Sequence, residues 1–295
     1  MQLLGNFYEY YLNNENEKIN IVVATSGDTG AAAIDAIKGK KNVNIFVLHP
    51  DNRVSPVQRK LMTTGKEKNV FNIAIKGNFD DGMQLVKEVA EFAPVSIVNS
   101  INPFRLQGQK TAAFEIIENL GDAPDWLCIP MGNAGNISAY WMGFQEFFHA
   151  GKSKHLPRMM GFQASGSAPL VEGKSISNPE TIATAIRIGN PVNKEKALLA
   201  KESSNGSFSS VSDSEIINAY KILGKEEGIF CEPASAASVA GLLKIKEDVP
   251  KNSTIVCVLT GNGLKDPDCA IKNNDSIFHT GVEPEISSIT KIMGF

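Results

Sequence analysis

Asp125–Phe148 reads DWLCIPMGNAGNISAYWMGFQEFF, and its three parts decide the fold. Trp126-Leu127-Cys128-Ile129 is an apolar run long enough for a buried strand. Gly132-Asn133-Ala134-Gly135-Asn136 follows as a tight loop. Ile137, Tyr140, Trp141, Phe144 and Phe148 then recur at three- and four-residue steps, which predicts an amphipathic helix. Glycines let backbone N–H groups approach an anion with no Cβ in the way. A helix start adds unpaired N–H groups and partial positive charge, so a phosphate fits there. The plainer reading is a βα turn that happens to be rich in Gly and Asn. The loop has neither the G-x-G-x-x-G of a dinucleotide site nor the Gly-Lys-Ser/Thr of a Walker loop. A ligand with one phosphate, held by backbone, is the better match.

The 295 residues predict about two domains. A hydrophobic fraction of 42% and a charged fraction of 21% are ordinary for a soluble globular chain. A net charge of −3 gives no reason to expect nucleic acid or an anionic membrane as partner. Cys128, Cys231, Cys257 and Cys269 form no CxxC pair, so no metal is expected. Cys128 and Cys257 lie in apolar runs and read as reduced core residues, consistent with the cytoplasm. No apolar stretch approaches the roughly 20 residues of a membrane span. Residues 1–12 read as an amphipathic helix with no lead-in, the look of a chain whose start lies upstream.

Around the opening stretch, a β-branched run at 19–24 and further runs at 43–49, 70–75, 95–99, 159–163 and 253–259 predict strands. Helices are predicted at 31–38, from Ser55-Pro56, at 79–92, 107–120, 179–186 and 194–202, after the Ser212–Glu215 capping box, and at 232–243. Residues 164–210 otherwise read as a polar passage and 280–295 as irregular. Strands alternating with helices imply βαβ units and a parallel sheet, with the loops 25–30, 132–136 and 260–263 at one end, where ligands bind.

Six segments taken together resemble one family. They are ATSGDTGAAA (24–33), NSINPFRLQGQKTAAFE (99–115), IPMGNAGNISAYWMGF (129–144), ETIATAIRIGNP (180–191), EPASAAS (232–238) and LTGNGLKDP (259–267). Their order is similar to that of the threonine synthases, pyridoxal-phosphate lyases of threonine biosynthesis. The resemblance implies an α/β, two-domain, parallel-sheet fold of the tryptophan synthase β-like type (PLP fold type II), N-terminally truncated here. A smaller α/β domain is expected at 1–112. A larger cofactor-binding domain, its N-terminal part missing, is expected at 113–295. Residues 1–90 look like the longer branch of the family and 95–267 like the shorter one.

By the same resemblance Gly132, Asn133, Ala134, Gly135 and Asn136 cradle the phosphate of pyridoxal 5′-phosphate. Thr260 meets the pyridine nitrogen, and Asp28 stands near the cofactor's 3′ oxygen, where a carboxylate must be neutralised or turned away. Thr25, Ser26, Gly27 and Thr29 are expected at the amino-acid carboxylate. Asn102 and Arg105, with Gln109 and Lys110 beside them, are candidates for the phosphate of O-phosphohomoserine. Glu232 resembles a residue near the cofactor. The plainer readings are a strand-end Thr260 bonding its own backbone, an Asp28 capping its helix, a surface loop at 102–110 and a Glu232 facing a helix dipole. The four histidines read as structural or solvated.

The family's Schiff-base lysine lies in a Ser/Ala-Phe-Lys-Asp motif that this chain lacks, so no catalytic residue is assigned. The expectation is a threonine synthase that converts O-phosphohomoserine and water to threonine and phosphate, yet is inactive or nearly so as this chain alone. A serine/threonine dehydratase-like lyase and a non-catalytic binder of pyridoxal phosphate are the alternatives. Phosphate release against keto-acid release separates the first, and tight binding without turnover marks the second. The sequence leaves a homodimer open.

Overall fold

The structure is a computed structural model and describes residues 1–12, 18–25, 27–51, 54–99, 102–273 and 281–294. The elements in chain order are α1 (Gln2–Leu12), β1 (Ile19–Ala24), α2 (Asp28–Ile37), β2 (Val43–Pro50), α3 (Pro56–Thr63), β3 (Val70–Ile75), α4 (Phe79–Phe92) and β4 (Val95–Ile97). Two short helices, α5 (Pro103–Gln109) and α6 (Thr111–Leu120), lead to β5 (Trp126–Pro130), α7 (Gly135–His149) and β6 (Arg158–Ala164). Then come α8 (Pro169–Glu172), α9 (Lys194–Ser203), β7 (Ser207–Val211), α10 (Asp213–Glu226), α11 (Pro233–Lys244), β8 (Ile255–Cys257), α12 (Pro267–Asn273) and α13 (Ile286–Met293).

The strands form two four-stranded sheets, ordered β3-β2-β1-β4 and β7-β6-β5-β8. Every pairing within them is parallel. Parallel sheets need cover on both faces, and β5 shows why its sequence is apolar throughout. Leu127 and Ile129 face Ile137, Trp141 and Phe144 of α7. Trp126 and Cys128 face the opposite side, with Phe162 and Leu242. The first sheet repeats the pattern: Ile21 and Val23 pack with Ala33 and Ile37 of α2, while Val22 and Ala24 pack with Met83 and Val86 of α4. The loops after β1, β5 and β8 therefore all leave carboxyl ends of parallel strands.

Several expectations need correction. Residues 179–186 hold only a 3₁₀ turn at Thr184–Ile186. Asp213 takes the local donors away from a helix there: its carboxylate accepts from Thr181 Oγ1 at 2.5 Å and Ile182 N at 3.2 Å. Residues 207–211 (SFSSV), read as loop, form the edge strand β7. The 107–120 helix is two helices, α5 beginning at Pro103 with Asn102 as its cap. The tail holds α13, where Ile286, Ile289 and Ile292 share one helical face. The 253–259 strand shortens to the three-residue edge β8.

Candidate active site

The N-terminus of α7 is built for an anion by its backbone. Ala134 has φ 58°, the left-handed region, and its side chain is buried. Ser138 Oγ donates to the Ala134 carbonyl at 2.8 Å, and Asn136 Nδ2 donates to Pro130 O at 2.7 Å. Val192 N donates to Asn133 Oδ1 at 2.6 Å. The Asn side chains of the loop are thus spent on fixing its shape. Among the described residues the N–H groups of Gly132, Asn133, Ala134, Gly135 and Asn136 have no acceptor. Gly132 has a steric reason to be glycine, since a Cβ there would lie 2.9 Å from Ile186 Cα.

These N–H groups border a cavity of about 210 Å³. Asp28 and Thr29 enter it from the first turn of α2, Arg105 and Gln109 from α5, and Thr260 from the loop after β8. Glu232, the residue before α11, and Ala185 with Ile186 close the remaining sides. Thr25, Gly27, Asn102 and Lys110 are not in the lining. Thr25 is buried and its hydroxyl oxygen accepts from Gly27 N at 2.9 Å and Gly30 N at 2.8 Å, which holds the start of α2. Gly27 itself has φ 140° and packs against Gln58, so a side chain is excluded twice over. Asn102 caps α5 through Phe104 N, and Lys110 pairs with Glu146. Ser26 lies outside the described residues.

The charges in the cavity are arranged unequally. No carboxylate stands within ion-pair reach of Arg105 among the described residues. Among the described residues its guanidinium donates only to Val98 O, at 3.4 Å, and burial lowers its pKa to about 10, so it remains a cation at neutral pH. Glu232 is 4% exposed. Burial, then the nearby Asp28, pushes its carboxyl up to about 7. This outweighs the attraction of a helix N-terminus for a carboxylate. Asp28 does not cap α2. Its carboxylate meets Lys265 Nζ at 3.0 Å and accepts from Gln58 Nε2 at 3.0 Å.

Three supporting residues lie inside segments quoted for the resemblance, but the sequence does not show their roles there. Ser235 is fully buried and its Oγ accepts from Gly261 N at 2.7 Å, which fixes the turn that carries Thr260. Asn99 bonds both Ala24 N and Ala24 O, completing the end of β1 in place of a strand neighbour. Lys265 reaches Asp28 from the other sheet's side of the chain. Each role depends on which loops meet in space. Of the histidines, His49 is buried and His279 lies outside the described residues.

A cavity with unpaired backbone donors at a helix start, a neutral hydroxyl on the loop after β8 and one uncompensated guanidinium fits a phosphorylated cofactor. The sequence comparison agrees: the chain belongs to the pyridoxal-phosphate dependent enzymes, whose family profile matches residues 4–261. Within that class its relatives are threonine synthases, and the chain belongs with them. It is 56% identical over 276 residues to the threonine synthase of Synechocystis sp., covering 93% of this chain and 71% of the relative. It is 47% identical over 269 residues to that of Mycobacterium tuberculosis, covering 90% of this chain and 73% of the relative. One relative therefore spans both parts of the chain that had looked like separate branches. Among solved structures, the chain is similar to the PLP-bound threonine synthase of Brucella melitensis, with TM-score 0.73 and 27% identity. That match covers 97% of this chain and 68% of the other. The Escherichia coli enzyme, at 24% identity and TM-score 0.75, shares the fold.

Proposed function

We propose that the chain carries the site of a threonine synthase acting on O-phosphohomoserine, with water as co-substrate and threonine and phosphate as products. In this reading residues 1–112 form the smaller domain and 113–295 the cofactor-binding one. Pyridoxal phosphate, when bound, supplies an electron sink that eases loss of protons from the amino acid and departure of its phosphate. The chain's own residues bind and orient. The N–H groups of residues 132–136 hold the cofactor phosphate through fixed dipoles, at no cost in side-chain entropy. Thr260 offers the pyridine nitrogen a hydroxyl rather than a carboxylate, and Ser235 keeps that hydroxyl in place. Arg105, lacking a carboxylate partner among the described residues, is free to take the substrate phosphate through a two-pronged contact.

The observation that supports this most is that one cavity has two separate features for anions, the backbone floor and Arg105. A dehydratase acting on an unphosphorylated amino acid has no use for the second. Phosphate release from O-phosphohomoserine, measured beside keto-acid release from threonine, tests the choice. Phosphate is the expected product, and keto acid alone would overturn the assignment. No lysine of the chain lies in a Phe-Lys-Asp context, and its one Lys-Asp pair, at Lys265, follows Leu264. The reading therefore expects cofactor binding by this chain with little or no turnover by itself. Borohydride reduction that fixes the cofactor to a lysine of this chain, with turnover, would defeat that part. The reading places the protein in the cytoplasm, in keeping with its free cysteines, and a homodimer is compatible with it. No helix among the described residues is long and apolar enough to cross a membrane.

A further inference from the structure

The cavity brings together a floor for an anion and two carboxylates, Asp28 and Glu232. Two carboxylates facing a phosphate would oppose its binding, because like charges in a partly buried site are weakly screened. Glu232 is relieved by its burial, which favours the neutral acid. Asp28 is about a third exposed, and its ion-pair partner is Lys265 at 3.0 Å, a residue outside the cavity lining. Lys265 is seated from its backbone: Ser55 Oγ donates to its carbonyl at 2.6 Å. Ser55 is itself fixed as the cap of α3, in a capping box with Gln58. Gln58 in turn donates to the other oxygen of Asp28 at 3.0 Å. Ser55, Gln58 and Lys265 thus form a built holder around one carboxylate.

We propose that Lys265 is a charge-compensating, positioning residue of this site: it cancels Asp28, so that the cavity keeps its affinity for a phosphorylated ligand without Lys265 touching that ligand. The inference rests on the reading of the cavity as a pyridoxal-phosphate site. It differs from a purely mechanical role, in which the same ion pair would only fasten the loop after β8 to the loop after β1. The two roles predict opposite results for Asp28. Removing the carboxylate removes the need for Lys265 if the role is electrostatic. It breaks the fastening if the role is mechanical.

Equilibrium dialysis with pyridoxal 5′-phosphate against the full chain tests this, with thermal unfolding as a check on the fold. Lys265→Met is expected to weaken binding about tenfold or more, the scale for an uncancelled charge near a dianion in a partly buried site. Asp28→Asn/Lys265→Met is expected to regain most of the affinity that Lys265→Met loses. Lys265→Arg, which keeps the charge, is expected to bind nearly as the parent does. Parent-like binding by Lys265→Met overturns the proposal. So does a double variant as weak as Lys265→Met, which would reveal a fastening. A parent chain with no affinity for the cofactor overturns the cofactor reading, and this inference falls with it.

Discussion

Ser235 Oγ stands 3.2 Å from Thr260 Oγ1, and the same oxygen accepts the Gly261 N–H at 2.7 Å. The first turn of α11 and the loop after β8 are therefore joined through one buried hydroxyl. Ser235→Ala leaves the Gly261 N–H without its acceptor. The expected cost is about 0.5–1.5 kcal/mol of stability, the scale for one lost hydrogen bond at a half-buried donor, seen as a lower urea midpoint with unchanged slope. Binding of pyridoxal phosphate is expected to weaken in parallel, because Thr260 loses its support.

Gly132 lies against the 3₁₀ turn at Thr184–Ile186, and the atom a new Cβ would meet is backbone, Ile186 Cα at 2.9 Å. A backbone atom cannot rotate away. Gly132→Ala is expected to cost about 1–3 kcal/mol through overpacking and to reduce cofactor affinity by displacing the adjoining N–H groups. Thermal unfolding and dialysis measure the two effects separately. A variant with parent stability and affinity would show that the turn yields.

Arg105 is a half-buried cation whose hydrogen bond to Val98 O is long. Arg105→Met is expected to leave stability within about 1 kcal/mol of the parent, since no ion pair among the described residues is broken and a desolvated charge is removed. Affinity for O-phosphohomoserine is expected to fall about tenfold or more, while pyridoxal-phosphate binding changes little. Isothermal titration with each ligand distinguishes this from a general loss of the site.

Glu232 sets a pH dependence whose sign follows from its raised pKa. The folded chain holds the proton up to about pH 7, whereas the unfolded chain releases it near 4.5. Stability is therefore highest below pH 4.5 as far as this group is concerned, and falls as pH rises to about 7. The full loss is about 3 kcal/mol, with Asp28, Lys265 and Asp266 as the charges that act on it. Glu232→Gln is expected to remove this slope, gaining stability at pH 8 and little at pH 4, by urea unfolding at each pH. A slope unchanged in the variant would assign it to another group.

The fold was legible where local chemistry and period agree. The runs at 19–24 and 70–75 match β1 and β3 residue for residue, and Ser212 with Glu215 starts α10 through the capping box their spacing predicts. It was illegible where tertiary contacts decide. SFSSV has only Phe208 and Val211 as strong β-formers, on opposite faces, and becomes a strand beside β6. Residues 179–186 have helix-like composition and lose it to Asp213. The anion floor could be read because glycine and helix start advertise themselves locally. Lys265 could not, because its meaning depends on Asp28 far away in the chain.

The floor at residues 132–136 is main chain, with its asparagine side chains turned to other duties. Alanine scanning would therefore report mostly on loop shape there and pass over the contacts themselves. Replacing single amides by esters in that turn would delete a donor while keeping every side chain. It is the substitution that can weigh each one. For the same reason the residues of this turn are constrained by the shape they hold, Gly132 by its neighbour, Asn133 and Asn136 by their bonds and Ala134 by its left-handed bend, and not by any side-chain contact with a phosphate.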